Sequence, residues 1–304
     1  MSTWDRRALI RTGALAAAAA TLGACGGRST SSGSGGGSNG KDKKVVRIGY
    51  INWDEDVVTT YLWKKVLSDK GYTVQLSQLD AAPLYAGMAG GSVDLFMDGW
   101  LPTTHADYWK KYGPKLEDVG VWYDNATLAI AVPKYVTGVN SLADLKAHAS
   151  EFDGKIYGIE PSAGEMRLAK QDVLPAYGLN GSIEVVDSST PAMLAQLKKS
   201  IQAHKPIAVT LWHPHWAYSA FPLKDLADPK KKFGTGEKIH IIARKGFADD
   251  FPTLNGWLKS FRMNDTQLGT LEDTVLNQYG TGKEDDGVAA WAKKNASFVS
   301  GLTS

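Results

Sequence analysis

Three tryptophans stand where an apolar run of the sequence gives way to polar residues. They are Trp53 after residues 45–52, Trp100 after residues 92–97, and Trp212 after residues 206–211. Apolar runs of this length are typical of strands, and ligands bind beyond the carboxyl ends of the strands in an open α/β sheet. Several indole faces at such an edge would attract a quaternary ammonium group, which cannot donate ordinary hydrogen bonds, through their negative π surfaces.

Two other interpretations of these rings remain open at this point. The chain has ten Trp, and most Trp side chains contribute to a core, so each ring could be ordinary packing. Trp also stacks on pyranose rings, which allows a sugar-binding module. That module would need several Asp, Asn or Arg residues around the rings, and the adjoining loops supply few. The repeated placement after strands favours the cation cage.

A second feature suits the anionic end of a ligand. The segment Glu160-Pro-Ser-Ala-Gly-Glu165 joins a predicted strand to a predicted helix. The N-terminus of a helix presents unpaired N–H groups, so the backbone of Gly164 and Glu165 could bind a carboxylate, with the Glu165 side chain turned away. His105 could donate a further hydrogen bond to the same carboxylate. The alternatives are a routine helix start capped by Ser162 and a structural histidine.

Enzymatic chemistry finds little support. An extracellular hydrolase could use His213 or His215, but no nucleophile or metal partner accompanies them at a suitable spacing. The sequence has no nucleophile elbow, P-loop or dinucleotide fingerprint, and we expect no enzymatic activity, no cofactor and no metal. Asp54, Glu55 and Asp56 are interpreted as helix-capping and first-turn charges. The formal net charge of +2 gives no support to nucleic-acid binding.

The elements that must position these residues alternate between strand and helix from Val45 onward. This pattern predicts an α/β fold with a mostly parallel sheet, including a short strand at 128–133 and a helix at 142–148. Apolar runs near 133 and 238 would cross between two lobes. We predict that residues 45–133 plus 237–304 form lobe 1, that residues 134–236 form lobe 2, and that the lobes close as on a hinge.

The N-terminus is interpreted as a targeting sequence. Residues 1–24 form a predicted signal peptide, with an Arg6-Arg7 pair similar to a twin-arginine export signal. Leu22-Gly-Ala-Cys25 resembles a bacterial lipobox, which implies that Cys25, the single cysteine of the chain, is lipidated. An ordinary cleavage site beside a spare thiol is the alternative. Residues 25–44 would then be the lipidated Cys and a Gly/Ser tether to the extracytoplasmic face of the membrane.

Five motifs together resemble the glycine betaine-binding proteins of ABC importers. They are Ile51-Asn-Trp-Asp54, Asp98-Gly-Trp-Leu-Pro-Thr-Thr-His105, Pro161-Ser-Ala-Gly-Glu-Met166, Thr210-Leu-Trp-His-Pro-His-Trp216 and Ile239-His-Ile-Ile-Ala-Arg-Lys-Gly246. The resemblance covers about residues 45–280. It implies a two-lobed periplasmic-binding-protein fold of type II topology, with two hinge crossings.

The resemblance also assigns roles by matching motif. It implies a cage of Trp53, Trp100 and Trp212, with the carboxylate held by the His105 side chain and the amides of Gly164 and Glu165. Glu165 departs from the family pattern, which has an apolar residue there. Because the family uses the backbone at this position, we expect a small cost, with some weakening of carboxylate binding by the nearby negative charge. The implied function is capture of glycine betaine and proline betaine for an ABC permease, in osmoprotection. We expect a monomer; the alternative ligands are choline and carnitine.

Overall fold

The computed structural model describes residues 42–304 of the 304-residue chain. The predicted signal peptide, Cys25 and nearly all of the predicted tether lie outside these residues. Within them the strands are β1 (Val45–Tyr50), β2 (Thr73–Gln78), β3 (Leu95–Leu101), β4 (Leu116–Pro133), β5 (Lys155–Tyr157), β6 (Glu184–Val186), β7 (Val209–His213), β8 (Leu223–Asp225) and β9 (Glu237–Arg244).

Helices alternate with these strands and then close the chain. They are α1 (Asp54–Asp69), α2 (Ala81–Gly90), α3 (Ala106–Tyr112), α4 (Gly164–Leu168), α5 (Leu174–Ala176), α6 (Thr190–Gln202), α7 (Ala217–Ala220), α8 (Phe247–Asp250), α9 (Pro252–Ser260), α10 (Asp265–Glu272), α11 (Glu284–Lys294) and α12 (Ala296–Gly301). A π-helical turn, Ala169–Val173, joins α4 to α5, and another, Asp273–Tyr279, follows α10. Among the described residues, no helix combines the length and apolarity needed to cross a membrane.

One long strand connects two halves of the sheet. The strand order is β2-β1-β3-β9-β4-β7-β5-β6, with β8 also paired to β4. Residues 116–126 of β4 pair with β9, whereas residues 127–133 pair with β7 and β8. We call β1 to β3, β9 and residues 116–126, with the segments that follow β1 and β3, the first half. We call residues 127–133 and β5 to β8, with the segments that follow β5 and β7, the second half.

The sheet is mixed, so the prediction of a mostly parallel sheet was wrong. β1 is parallel to β2 and β3, and β5 is parallel to β6 and β7. β9, however, runs antiparallel to β3 and β4, and β4 runs antiparallel to β7 and β8. The predicted strand at 128–133 is the end of β4, whose earlier part carries polar residues such as Asp118 and Asn125 that hide it in the sequence.

Two of the three tryptophans lie within strands and not beyond them. β3 continues through Trp100, which pairs with Ile239, because antiparallel pairing to β9 extends its ladder past the polar Asp98. β7 continues through Trp212, which pairs with Leu128 of β4. Only Trp53 follows its strand, directly before α1. The predictions that these strands end at residues 97 and 211 were therefore wrong, because both strands extend further.

The predicted helix at 142–148 is a series of turns. The Asp144 carboxylate accepts the backbone N–H groups of Asn140 and Ser141, each at 2.9 Å. Such local bonds offer the backbone an alternative to helix. At the start of α6, by contrast, the Ser189 side chain accepts the N–H of Ala192 and caps the helix.

Candidate functional site

The six residues predicted to bind a ligand line one cavity of about 260 Å³. The cavity lies where the two halves meet. Its wall consists of Trp53, Glu55, Trp100, Thr104, His105, Leu128, Ile159, Ala163, Gly164, Glu165 and Trp212. The three indoles are almost wholly buried, with exposures of 3 to 5%. The rings are therefore neither dispersed in separate cores nor left on the surface.

Each cavity tryptophan directs its polar edge to a carboxylate. The indole N–H of Trp53 donates to Glu160 at 3.2 Å, and that of Trp100 donates to Asp98 at 3.0 Å. The N–H of Trp212 donates to Glu55 at 2.8 Å. A buried indole N–H needs an acceptor, and a carboxyl oxygen at hydrogen-bond distance fixes the plane of its ring. These bonds hold the three rings in place before any ligand arrives.

His105 is a neutral hydrogen-bond donor at the cavity wall. Its Nδ1 accepts the backbone N–H of Trp100 at 3.0 Å, and the Tyr85 hydroxyl lies 3.1 Å from the same atom. Because a backbone N–H can only donate, the proton of the neutral imidazole must reside on Nε2. Burial, with a smaller effect of the Arg167 charge, lowers the pKa of His105 to about 3. Its Nε2 is buried and has no partner within the described residues.

Gly164 and Glu165 open α4, which continues through the π-helical turn into α5. Ala163 precedes the helix and supplies no side-chain cap, so the first-turn N–H groups lack the partners that most helix starts have. Gly164 packs directly on the first half. A Cβ at this position would lie 2.0 Å from the carbonyl oxygen of Thr104. Only glycine permits this approach of the two backbones.

Several carboxyl groups at or beside the cavity are buried. Burial raises the pKa of Glu55 well above its usual range, and the neighbouring Asp98 adds to the rise. The pKa of Asp98 is raised in the same way, by burial and by Asp56. Burial raises the pKa of Glu165, whose two carboxyl oxygens have no partner in the described part of the chain. A cation in the cavity would favour the ionised form of each group.

The acidic run after Trp53 lies in the first turn of α1, as predicted, but none of its side chains caps the helix. Asp54, Glu55 and Asp56 are buried, with exposures of 8%, 1% and 0%. Asp56 accepts the backbone N–H of Ile51 at 2.7 Å, and Asp54 accepts the indole N–H of Trp216. These carboxylates position the segment that carries Trp53, in addition to any effect on the helix dipole.

The histidines beside Pro214 differ from the expectation of two polar loop residues. His213 is half-exposed and bonds to Asp225 at 2.8 Å. His215 is buried against the Trp212 ring, with centroids 4.7 Å apart, and burial lowers its pKa to about 3. No group of three metal-ligating side chains occurs among residues 42–304.

Sequence reasoning missed the residues that support the cavity tryptophans. Glu160, Asp98 and Glu55 hold the ring edges, and Thr104 carries the carbonyl on which Gly164 packs. One signal was available for Trp100: Asp98 lies two positions before it, and buried indoles require acceptors. The pairing of Trp53 with Glu160 had no such signal, because 107 positions separate them.

Comparison with known proteins identifies the family. Residues 44–294 match the family described as the substrate-binding domain of ABC-type glycine betaine transport systems. The chain belongs to this family. Members are substrate-binding proteins of ABC transporters, which act outside the cytoplasm and are not enzymes, as the sequence predicted.

Individual relatives agree with this assignment. The chain is 36% identical over 152 residues to a glycine betaine/carnitine transport binding protein of Listeria monocytogenes, which covers 49% of this chain and 48% of that protein. The aligned part is thus about half the length of that relative. The lactococcal OpuAC structure in its closed form with glycine betaine is 31% identical, with a TM-score of 0.78 over 86% of this chain and 100% of that one.

A third relative binds a different ligand. The structure of an ABC-transporter choline-binding protein with choline is 27% identical to this chain. Its TM-score is also 0.78, over 85% of this chain and 92% of that chain. These neighbours confirm the predicted periplasmic-binding-protein fold of type II topology. Similarity of fold does not separate the two ligands, so the choice depends on the cavity.

Proposed function

We propose that this family member captures glycine betaine, and also proline betaine, and delivers them to an ABC permease for osmoprotection. The observation that supports this ligand is the meeting of three indoles and one neutral imidazole donor at a single cavity. The indole faces of Trp53, Trp100 and Trp212 would hold the methylated nitrogen, each contact contributing about 0.5–2 kcal/mol.

The carboxylate of the ligand would bind to the hydrogen-bond donors of the cavity wall. Three donors at the cavity lack an acceptor among the described residues: the Nε2–H of His105 and the first-turn N–H groups of Gly164 and Glu165. A carboxylate would accept from all three. Choline has a hydroxyl in place of the carboxylate and would leave these donors poorly satisfied. A buried donor without an acceptor costs free energy, which favours the zwitterion.

Choline is the second candidate, and one observation favours it. Glu55 and Glu165 line the cavity with buried carboxyls, and ionised carboxylates would stabilise a ligand with a net positive charge. The same charges would oppose the carboxylate of a betaine. Carnitine carries both a cation and a carboxylate, and it is the other alternative ligand.

Closure of two lobes would couple binding to transport. We propose lobe 1 as residues 45–133 plus 237–304 and lobe 2 as residues 134–236. Trp53, Trp100 and His105 belong to lobe 1, and Trp212, Gly164 and Glu165 belong to lobe 2. A ligand that contacts both lobes stabilises the closed form by its difference in affinity for the two states. The closed form would then dock on the permease.

The proposed location is the extracytoplasmic face of the membrane, with Cys25 lipidated and the protein a monomer. The experiment for the anchor is Cys25→Ser, which should move the protein from the membrane fraction to the soluble fraction. The experiment for the ligand is calorimetric titration with glycine betaine, proline betaine, choline and carnitine. We expect the betaines to bind most tightly; tighter binding of choline would replace the proposed ligand with the second candidate.

A further inference from the structure

Three indole–carboxylate hydrogen bonds join the two halves of the sheet. Trp53 of the first half donates to Glu160 of the second. In the opposite direction, Trp212 of the second half donates to Glu55 of the first, and Trp216 donates to Asp54. The bonds cross from the segment after β1 to the segments that end β5 and β7. Each one exists only while the two halves are in contact.

Two of these bonds involve rings of the cavity and one does not. Trp53 and Trp212 line the cavity, so their faces meet the ligand while their edges meet the opposite half. Trp216 is not part of the cavity wall. Its bond to Asp54 can therefore be removed without deleting a ligand contact. A variant of the Trp216–Asp54 pair therefore tests the effect of closure on binding while the cavity tryptophans stay unchanged.

The surroundings of Asp54 disfavour its ionised form, and the hydrogen bond from Trp216 favours it. Burial raises the pKa of Asp54 to about 7; the Trp216 indole opposes the rise, and the Glu160 charge adds to it. Glu55 and Glu272 also face the Asp54 carboxyl. Like Glu160, each carries a negative charge when it is ionised. The His215 Nε2 lies 3.3 Å from Asp54 but forms no hydrogen bond to it, and burial lowers the pKa of that imidazole to about 3, so it adds no charge. The Trp216 N–H is thus the strong donor to the ionised Asp54.

We propose that Trp216 and Asp54 form a latch that holds the two halves closed over the ligand without touching it. The bonds of Trp53 to Glu160 and of Trp212 to Glu55 link the same closure to the rings that hold the ligand. Trp216 and Asp54 are therefore positioning residues for capture. This inference rests on the proposed function, because a latch contributes to affinity only if the halves open to admit a ligand.

Trp216→Phe in the full chain tests the latch. At pH 8 we expect glycine betaine to bind about tenfold more weakly, because a hydrogen bond to a charged group is lost from the closed form alone. The loss should appear in the dissociation rate, measured by stopped-flow Trp fluorescence, with the association rate unchanged. At pH 6, where Asp54 is largely protonated, the loss should shrink to about twofold or threefold.

The matched control is Trp63→Phe, which makes the same change at a buried ring whose indole N–H has no partner among residues 42–304. It should leave affinity and dissociation rate unchanged. Asp54→Asn is the second variant, and Trp216→Phe should cost less in that background because the ionisable acceptor is gone. Equal dissociation rates for Trp216→Phe and Trp63→Phe, or a loss independent of pH, would overturn the latch.

A measurement without ligand separates the latch from the proposed function. Small-angle X-ray scattering of the unliganded chain should show a larger radius of gyration for Trp216→Phe than for wild type or Trp63→Phe. If wild type binds none of the four ligands, the proposed function fails, and this scattering difference still tests the latch. Identical scattering for all three proteins would reject it.

Discussion

The His105 imidazole stacks on the Trp53 indole, with ring centroids 5.6 Å apart and planes inclined by 20°. One ring is proposed to hold the acid of the ligand and the other the cation. Stacking fixes the distance between these two ends of the cavity. A ligand must therefore carry its methylated nitrogen and its acceptor at a matching separation, which a betaine does within a few bonds.

His105→Phe should weaken glycine betaine far more than choline. Phenylalanine keeps a flat ring against Trp53 but supplies no Nε2–H donor and no acceptor for the Trp100 N–H. Loss of a charge-assisted hydrogen bond should cost glycine betaine about tenfold to a hundredfold in affinity, while choline changes little. Calorimetry with both ligands measures the ratio.

The control is His148→Phe, since His148 pairs only with the surface residue Glu151 and is not part of the cavity wall. It should alter neither affinity. If His105→Phe weakens both ligands by the same factor, the imidazole has a structural role and does not recognise the carboxylate.

Trp100→Ala should weaken glycine betaine by at least about tenfold, which corresponds to about 1.4 kcal/mol. The ring lines the cavity and is 3% exposed, so the variant must first be shown to fold, by circular dichroism and thermal unfolding. Trp257→Ala is the matched control, because that ring packs on Tyr72 and is not part of the cavity wall. Near-identical affinities for a folded Trp100→Ala protein and wild type would exclude this ring from the cage.

The local features of the site were predictable, and the reasons are physical. Trp53 follows a short apolar run, and His105 lies in the segment after another; such runs reveal strands without knowledge of the rest of the chain. The α/β class followed from the same periodicity. Only the family resemblance favoured His105 over a structural histidine, because a single sequence gives no tautomer and no burial.

The long-range pairings were not predictable. β3 and β7 extend through Trp100 and Trp212 because β9 and β4 pair with them, and the strands of each pair are far apart in sequence. Glu160 likewise meets Trp53 across 107 positions. Charged residues next to a helix start are usually solvated caps, so Asp54 gave no sign of burial. Tertiary contact overrode the local preference at each of these places.

Gly164→Ala should hinder closure. The added Cβ would lie 2.0 Å from the Thr104 carbonyl oxygen, and this contact joins the two halves beside the cavity. Overpacking of this kind costs about 1–3 kcal/mol, which predicts a loss of glycine betaine affinity of about fivefold to a hundredfold. Calorimetry measures the loss. Gly256→Ala in α9 is the control, because nothing lies within 4 Å of its Cβ position; equal affinities for the two variants would contradict the prediction.

The free energy of unfolding should fall as the pH rises from about 6.5 to 8.5. Burial raises the pKa of Glu272 and Glu165 above their usual range, so the folded state keeps protons that the unfolded chain releases near pH 4.3. A raised carboxyl pKa contributes stability below the unfolded value, and that stability is lost as the pH rises toward the folded value. His105 and His215 have lowered pKa values and oppose this trend only below about pH 6.5.

Each carboxyl that stays protonated contributes a slope of about 1.4 kcal/mol per pH unit. Glu272→Gln should therefore make urea unfolding less dependent on pH, because the buried Glu272 oxygens have no partner in the described part of the chain and glutamine cannot ionise. The variant should be more stable than wild type at pH 8 and similar to it near pH 4.5. Glu184→Gln, at an exposed position on β6, should keep the wild-type slope. Stability that rises with pH over this range in wild type would show that these carboxyls are ionised in the folded protein.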